Sequence, residues 1–275
     1  MRLVVATTTD DPLAAVFWSA YATAGGPAPA AVFLVRPRRV RPAWRRAVEG
    51  LLIFGVADSL RSVRLARRTA SALAGAPERV LAGASAIHRV ATLNRGEGLA
   101  ALERAAPDLL VSAGLPEILK PHVLRLPAIG AVNVHNGRLP AYRGLFGTFW
   151  EAVHGEEWGY ASVHVMAPEV DAGPVLAQGA VRLAGRGLLD ALVAKKQQGG
   201  RLLAWLVRHV EREGALPAPR PAAQDTAGAY YGWPTLRDAG RFALRRVRGR
   251  RAPALAGSAP ALWPSGVAYA EDRRS

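Results

Sequence analysis

Apolar residues in this chain fall into short continuous runs, separated by longer stretches where they recur every three or four positions. Leu3-Val4-Val5-Ala6-Thr7 and the run from Ala30 to Val35 have the length and apolar character of strands buried on both faces. A helix is expected between them, from Pro12 to Ala24, so the chain opens as a strand–helix–strand unit. From Pro42 to about Ala74, apolar positions interleave with Arg at helical spacing until Gly75 and Pro77 end the pattern. Strands are expected at Ile87 to Leu93, Leu109 to Gly114 and Ala131 to His135, with a short helix from Glu97 to Ala106. A helix follows from Phe146 to His154, then strands from Gly159 to Met166 and Pro174 to Leu183. Gly187 to about Glu213 reads as one long amphipathic helix. Pro217, Pro219 and Pro221 mark a linker, after which core-forming positions become sparse. These elements predict an α/β fold with an open, mostly parallel, Rossmann-like sheet and a short C-terminal appendage. The expected division is a catalytic unit over 1–214, with a basic helical insertion at 42–76, and a Pro-rich linker with a basic tail over 215–275.

Composition narrows the chemistry. The 275 residues can bury a self-sufficient core. With no cysteine, the chain has no disulfide framework, thiolate metal site or thiol nucleophile. No apolar stretch approaches the roughly 20 residues of a membrane span, and the N-terminus lacks the apolar block of a signal peptide. A cytoplasmic location is expected. The net charge is +15, and two stretches carry nearly all of it: Arg36 to Arg68 at net +8 and Arg237 to Arg251 at net +6. Such stretches face solvent or a polyanion. The first is apolar on one side and basic on the other, so peripheral contact with the inner face of an anionic membrane is one reading and packing on the sheet is the other.

Asn occurs three times, and two of the three lie in Asn133-Val134-His135-Asn136. Alternation along a strand sends Asn133 and His135 to the same face. They stand at a carboxyl strand end, where open α/β sheets bind ligands. A carboxylate follows in Val170-Asp171-Ala172-Gly173. An amide, an imidazole and a carboxylate in one crevice suit acyl transfer to an amine: the amide donates to a developing oxyanion, and the carboxylate orients or charges the imidazole. His164, on a strand, reads as a packed, hydrogen-bonded histidine. The aromatic cluster Tyr230-Tyr231-Gly232-Trp233 reads as packing of the tail, with a wall of the acceptor site as the alternative.

The stretch from Pro107 to Leu183 resembles the catalytic core of the folate-dependent formyltransferases. The resemblance rests on Asn133-x-His135, the loop Leu139-Pro140-x-Tyr142-x-Gly144, and Asp171-x-Gly173. The resemblance implies that 10-formyltetrahydrofolate is the donor and that a substrate amine attacks its formyl carbon without a covalent enzyme intermediate or a metal. It implies catalytic roles for Asn133, His135 and Asp171. The pterin would be gripped by Ala113, Gly114, Leu115, Val170 and Gly173, and the acceptor by Arg138, Tyr142 and Gly144.

Departures from the family pattern bear on the acceptor. Thr7 to Pro12 carries Asp10 and Asp11 where glycinamide ribonucleotide enzymes have a phosphate-cradling Gly-rich loop. The residues after the Pro-rich linker are too few for the tRNA-holding barrel of methionyl-tRNA enzymes. The expected acceptor is an amino sugar on a nucleotide- or lipid-linked precursor, a small-molecule or lipid-linked amine. Methionyl-tRNA and glycinamide ribonucleotide rank behind it, followed by water, as in formyltetrahydrofolate hydrolase. A non-catalytic folate- or RNA-binding homologue is the reading outside enzymes.

Overall fold

The computed structural model describes residues 1–8, 13–36, 51, 60, 83–219 and 228–249. The basic stretch at 42–76, Asp10, Asp11 and the end of the chain lie outside the described residues, apart from Leu51 and Leu60.

Seven strands form the main sheet: β1 (Leu3–Thr7), β2 (Ala31–Val35), β3 (Ala86–Val90), β4 (Leu109–Ala113), β5 (Gly130–His135), β7 (Trp158–Val165) and β8 (Val175–Arg182), in the order β3-β2-β1-β4-β5-β7-β8. The first five in that order run parallel, and β7 and β8 join antiparallel. Period-two alternation divides each central strand between two cores. Leu3, Val5, Val32, Leu34 and Val111 face one side, where helix α1 (Ala14–Thr23) brings Phe17, Trp18 and Tyr21, and helix α5 (Leu188–Glu213) brings Leu202, Leu206 and Val210. Val4, Ala6, Phe33 and Leu110 face the other side, against Leu102 of helix α2 (Gly96–Ala105) and Val123 of helix α3 (Pro121–Leu124). This is the expected α/β fold with an open, mostly parallel sheet, here with helices on both faces, and strand order reverses at β1, between β2 and β4.

β3 ends sooner than its apolar run suggests. Glu117 captures the next residues, accepting from Thr92 Oγ1 and from the Leu93 amide at 2.6 Å each, and so turns the chain out of the sheet. Within the span expected to be linker and tail, residues 228–249 carry a strand and a helix. Tyr142–Gly144 (β6) pairs in parallel with Ala229–Tyr231 (β9) as a second, two-stranded sheet. Helix α6 (Leu236–Gly249) begins at a reciprocal cap, in which Thr235 Oγ1 donates to Asp238 at 2.6 Å and the Asp238 amide donates to Thr235 Oγ1 at 3.3 Å. Ala239 and Phe242 are buried, and Phe242 packs 5.2 Å from Phe149 of helix α4 (Gly147–His154).

Candidate active site

A cleft of about 730 Å³ opens over the carboxyl ends of β4 and β5. β4 contributes Ser112 and the following Gly114 and Leu115, β5 contributes Asn133 and His135, and β7 contributes His164. The β7–β8 connection brings in Val170 and Asp171. The three residues expected to act together therefore converge, although Asp171 is far from the other two in sequence.

A fourth residue joins them. Asp171 lies between two imidazoles, with Oδ2 3.3 Å from His135 Nδ1 and Oδ1 3.4 Å from His164 Nε2. His164 Nε2 also lies 3.1 Å from the Asn133 side-chain nitrogen, and His164 Nδ1 donates to the Val165 carbonyl at 2.9 Å. The antiparallel register places Asn133 opposite His164, which makes this contact possible. His164 is packed and hydrogen-bonded, as its strand position suggests, but its partners are the catalytic candidates themselves.

Proton positions follow from the partners. His135 Nε2 lies 2.7 Å from the Tyr142 carbonyl, and its Nδ1 faces Asp171. Both neighbours only accept, whereas a neutral imidazole has one N–H to give. Burial pushes the His135 pKa below the ordinary histidine value, against the opposing pull of the Asp171 charge. Burial thus works against a second ring proton, while an acceptor stands opposite each ring nitrogen. At Asp171, burial opposes ionisation but is outweighed by the hydrogen bond from His164, the His135 ring and the Gly144 amide, which together hold the carboxyl at about 2. His135 and Asp171 thus form a buried imidazole–carboxylate pair in the cleft wall.

The other expected contacts divide. Gly114, Leu115, Val170 and Gly144 line the cleft; Ala113, Gly173, Arg138 and Tyr142 are not among its lining residues. The Ala113 carbonyl accepts from Thr7 Oγ1 at 2.8 Å. Tyr142 is buried, with its hydroxyl donating to Glu156 at 2.9 Å and its carbonyl facing His135. The Arg138 guanidinium lies over the Tyr160 ring, 5.4 Å from its centroid. Gly173 acts from beneath the site: a Cβ there would sit 1.9 Å from the Val165 carbonyl oxygen. Gly173→Ala must displace the loop that carries Asp171, so a stability loss of roughly 1–3 kcal/mol is expected together with reduced turnover. Thermal melts and turnover assays check this, and wild-type values in both would show that the loop absorbs the methyl group.

The alternation of strands did not identify Ile118 or Phe146, which also line the cleft, and Tyr230 lines it too, from the aromatic cluster offered above as a wall of the acceptor site. Phe146 precedes α4 with φ 58°, a left-handed conformation rare for an aromatic residue, and its ring packs 4.3 Å from Trp233. Tyr230 is 60% exposed and comes from β9.

A formyl transferase family model matches residues 56–200. A methionyl-tRNA formyltransferase of Dehalococcoides mccartyi is 31% identical over 157 residues, which are 57% of this chain and 49% of that protein. The chain spans about half the length of the curated relatives it matches. In fold it is similar to glycinamide ribonucleotide transformylase 1 from Symbiobacterium toebii, with a TM-score of 0.52 at 20% identity, covering 78% of this chain and 88% of that one. A sugar N-formyltransferase from a Shewanella species superposes with a TM-score of 0.50 at 14% identity, covering 84% of this chain and 77% of that one. The family model takes in β4, β5, β7 and β8 and thus every catalytic candidate, and with more than half of its residues matched, the chain belongs to the formyl transferase family.

Proposed function

We propose that the chain is a 10-formyltetrahydrofolate-dependent N-formyltransferase acting on a primary amine. The observation that carries the proposal is the convergence of Asn133, His135, His164 and Asp171 on one wall of the cleft. The amine nitrogen bonds to the formyl carbon, the bond from that carbon to the folate nitrogen breaks, and the folate nitrogen takes up a proton. The attacking nitrogen loses a proton, which the His135–Asp171 pair takes up and which is returned to the folate nitrogen. Asn133 donates to the developing oxyanion. His164 Nε2 lies within reach of both the Asn133 side chain and Asp171 Oδ1, so it helps fix the two groups relative to each other. The donor's flat ring suits the apolar residues of the cleft lining, among them Leu115, Ile118, Met166 and Val170.

The favoured acceptor is an amino sugar on a nucleotide- or lipid-linked precursor. Tyr230 supports this choice, because it presents an aromatic face at the cleft, and aromatic faces suit sugar rings and nucleobases. Methionyl-tRNA is the second reading. It is supported by the likeness to methionyl-tRNA formyltransferases and by Arg237, Arg241 and Arg245 on α6, the helix whose Phe242 packs on Phe149 of the cleft lining. Residues 1–214 form the proposed catalytic unit, with 228–249 packed against it as an appendage. Tetrahydrofolate release from 10-formyltetrahydrofolate tests the reading, run alone and with amino-sugar nucleotides, a lipid-linked amino sugar, glycinamide ribonucleotide and charged initiator tRNA. Release with one amine alone identifies the acceptor. Release with water alone supports the hydrolase, and no release in any arm overturns the proposal.

A further inference from the structure

Asp171 is held largely from outside its own loop. The residue has φ 51°, a left-handed conformation that costs an Asp free energy unless its surroundings impose it. Those surroundings are β6. The Gly144 amide donates to Asp171 Oδ2 at 2.9 Å. Arg143 reaches past it, with Nε donating to the Val170 carbonyl at 3.0 Å and the terminal nitrogen pairing with Glu169 at 2.7 Å. Two consecutive residues of β6 thus grip three consecutive residues of the Asp171 loop.

β6 has only three residues, and its strand partner is β9. The Leu145 amide donates to the Tyr231 carbonyl at 2.8 Å. Tyr231 stacks on Tyr142 at 5.4 Å and on Trp150 at 5.1 Å, and Trp150 donates to the Gly232 carbonyl at 3.2 Å. Gly144 permits this close pairing: at φ 91° it takes a conformation that favours glycine, and a Cβ there would meet the Tyr231 carbonyl oxygen at 2.4 Å. A three-residue strand pair has little stability of its own, so its aromatic contacts decide whether it persists.

We infer that the C-terminal β9 segment sets the position of the Asp171 carboxylate through β6, with Tyr231 and Arg143 as positioning residues. The inference rests on the proposed role of Asp171. A span that reads as a tail is then a working part of the site, and release of β9 would lower activity without anything occupying the cleft.

The charged and titratable groups around Asp171 are His135 from β5, His164 from β7, Arg143 from β6, and Glu169 in its own loop. Burial opposes ionisation there, so weakening the Gly144 contact raises the folded-state pKa. The test is carboxyl-carbon NMR on protein labelled at aspartate, with the Asp171 signal assigned by its loss in Asp171→Asn. It compares wild type, Tyr231→Ala, Arg143→Ala and the conservative control Tyr231→Phe, each checked for folding by thermal melt. Asp171 is expected to titrate at about 2 in wild type and Tyr231→Phe, and at a higher pH than wild type in Tyr231→Ala and Arg143→Ala. In those two variants kcat is expected to fall roughly 10- to 100-fold with donor affinity retained, as for a misplaced catalytic group. An Asp171 titration identical to wild type in the folded variants overturns the inference, even if their melting points fall. If wild type turns over no acceptor, the proposed function fails, but the titrations still decide the positioning claim. Should Tyr231→Ala not fold, Arg143→Ala carries the test.

Discussion

Asp171→Asn is expected to lower kcat by about 10²- to 10⁴-fold, the range spanned by the loss of positioned acid–base assistance. The substitution keeps the size of the side chain and leaves an oxygen to accept the Gly144 amide, so the loop has little reason to move. What disappears is the negative charge 3.3 Å from His135 Nδ1. Burial then depresses the His135 pKa with only the Tyr142 carbonyl still opposing it, and the ring becomes a weaker base for the proton leaving the amine. The apolar residues that suit the donor are others, so donor affinity should stay within about threefold. Single-turnover kinetics and equilibrium donor binding check the two halves separately, and unchanged turnover would remove Asp171 from the mechanism. Acid stability offers an independent reading. A carboxyl held at about 2 in the folded chain binds fewer protons than the same group unfolded, near 3.9. Its contribution, roughly 2–3 kcal/mol, is therefore present above about pH 4 and is lost as pH falls toward 2. Asp171→Asn has no such contribution to lose, so its stability should fall less steeply than wild type across that interval.

The fold was legible where one physical signal was enough. β1, β2 and β4 are short apolar runs because both of their faces are covered, and α5 shows its helical period over 26 residues. The Asn133–His135 pair was legible because strand alternation alone puts two residues on one face. His164 was not, since its role depends on an antiparallel pairing with a residue 31 positions away, and no local pattern encodes that register. Tyr142 stood out as a side chain, yet His135 meets its carbonyl, a group every residue carries. For α6 the signal was present but diluted. Thr235-x-x-Asp238 marks a helix start and Ala239 with Phe242 form a short apolar seam, but the surrounding arginines lower the apparent content of core residues.

Lys195→Met is expected to be the most damaging single change to stability. Lys195 and Glu151 pair with both side chains fully buried, one on α5 and the other on α4. Lys195 Nζ also donates to the Asn136 carbonyl and to Thr148 Oγ1, each at 3.1 Å. Glu151 Oε1 accepts from the amides of Arg138 at 2.8 Å and Tyr160 at 3.1 Å. One ion pair therefore ties two helices to the segment after His135 and to β7. Removing the lysine leaves a buried carboxylate without its counter-charge, which costs about 3–5 kcal/mol. For a domain of this size that corresponds to a drop in Tm of roughly 6–20 °C. The damage should depend on pH with a definite sign. Burial already raises the Glu151 pKa, and without Lys195 it rises further. The folded variant then holds a proton that the unfolded chain has released above about pH 4.3, so its deficit grows as pH rises from there. Glu151→Gln in the Lys195→Met background removes the stranded charge and keeps an oxygen for the Arg138 and Tyr160 amides, so the double variant should melt above the single one. If the double variant melts lower, the penalty comes from lost packing and hydrogen bonds around the Lys195 stem rather than from the uncompensated charge.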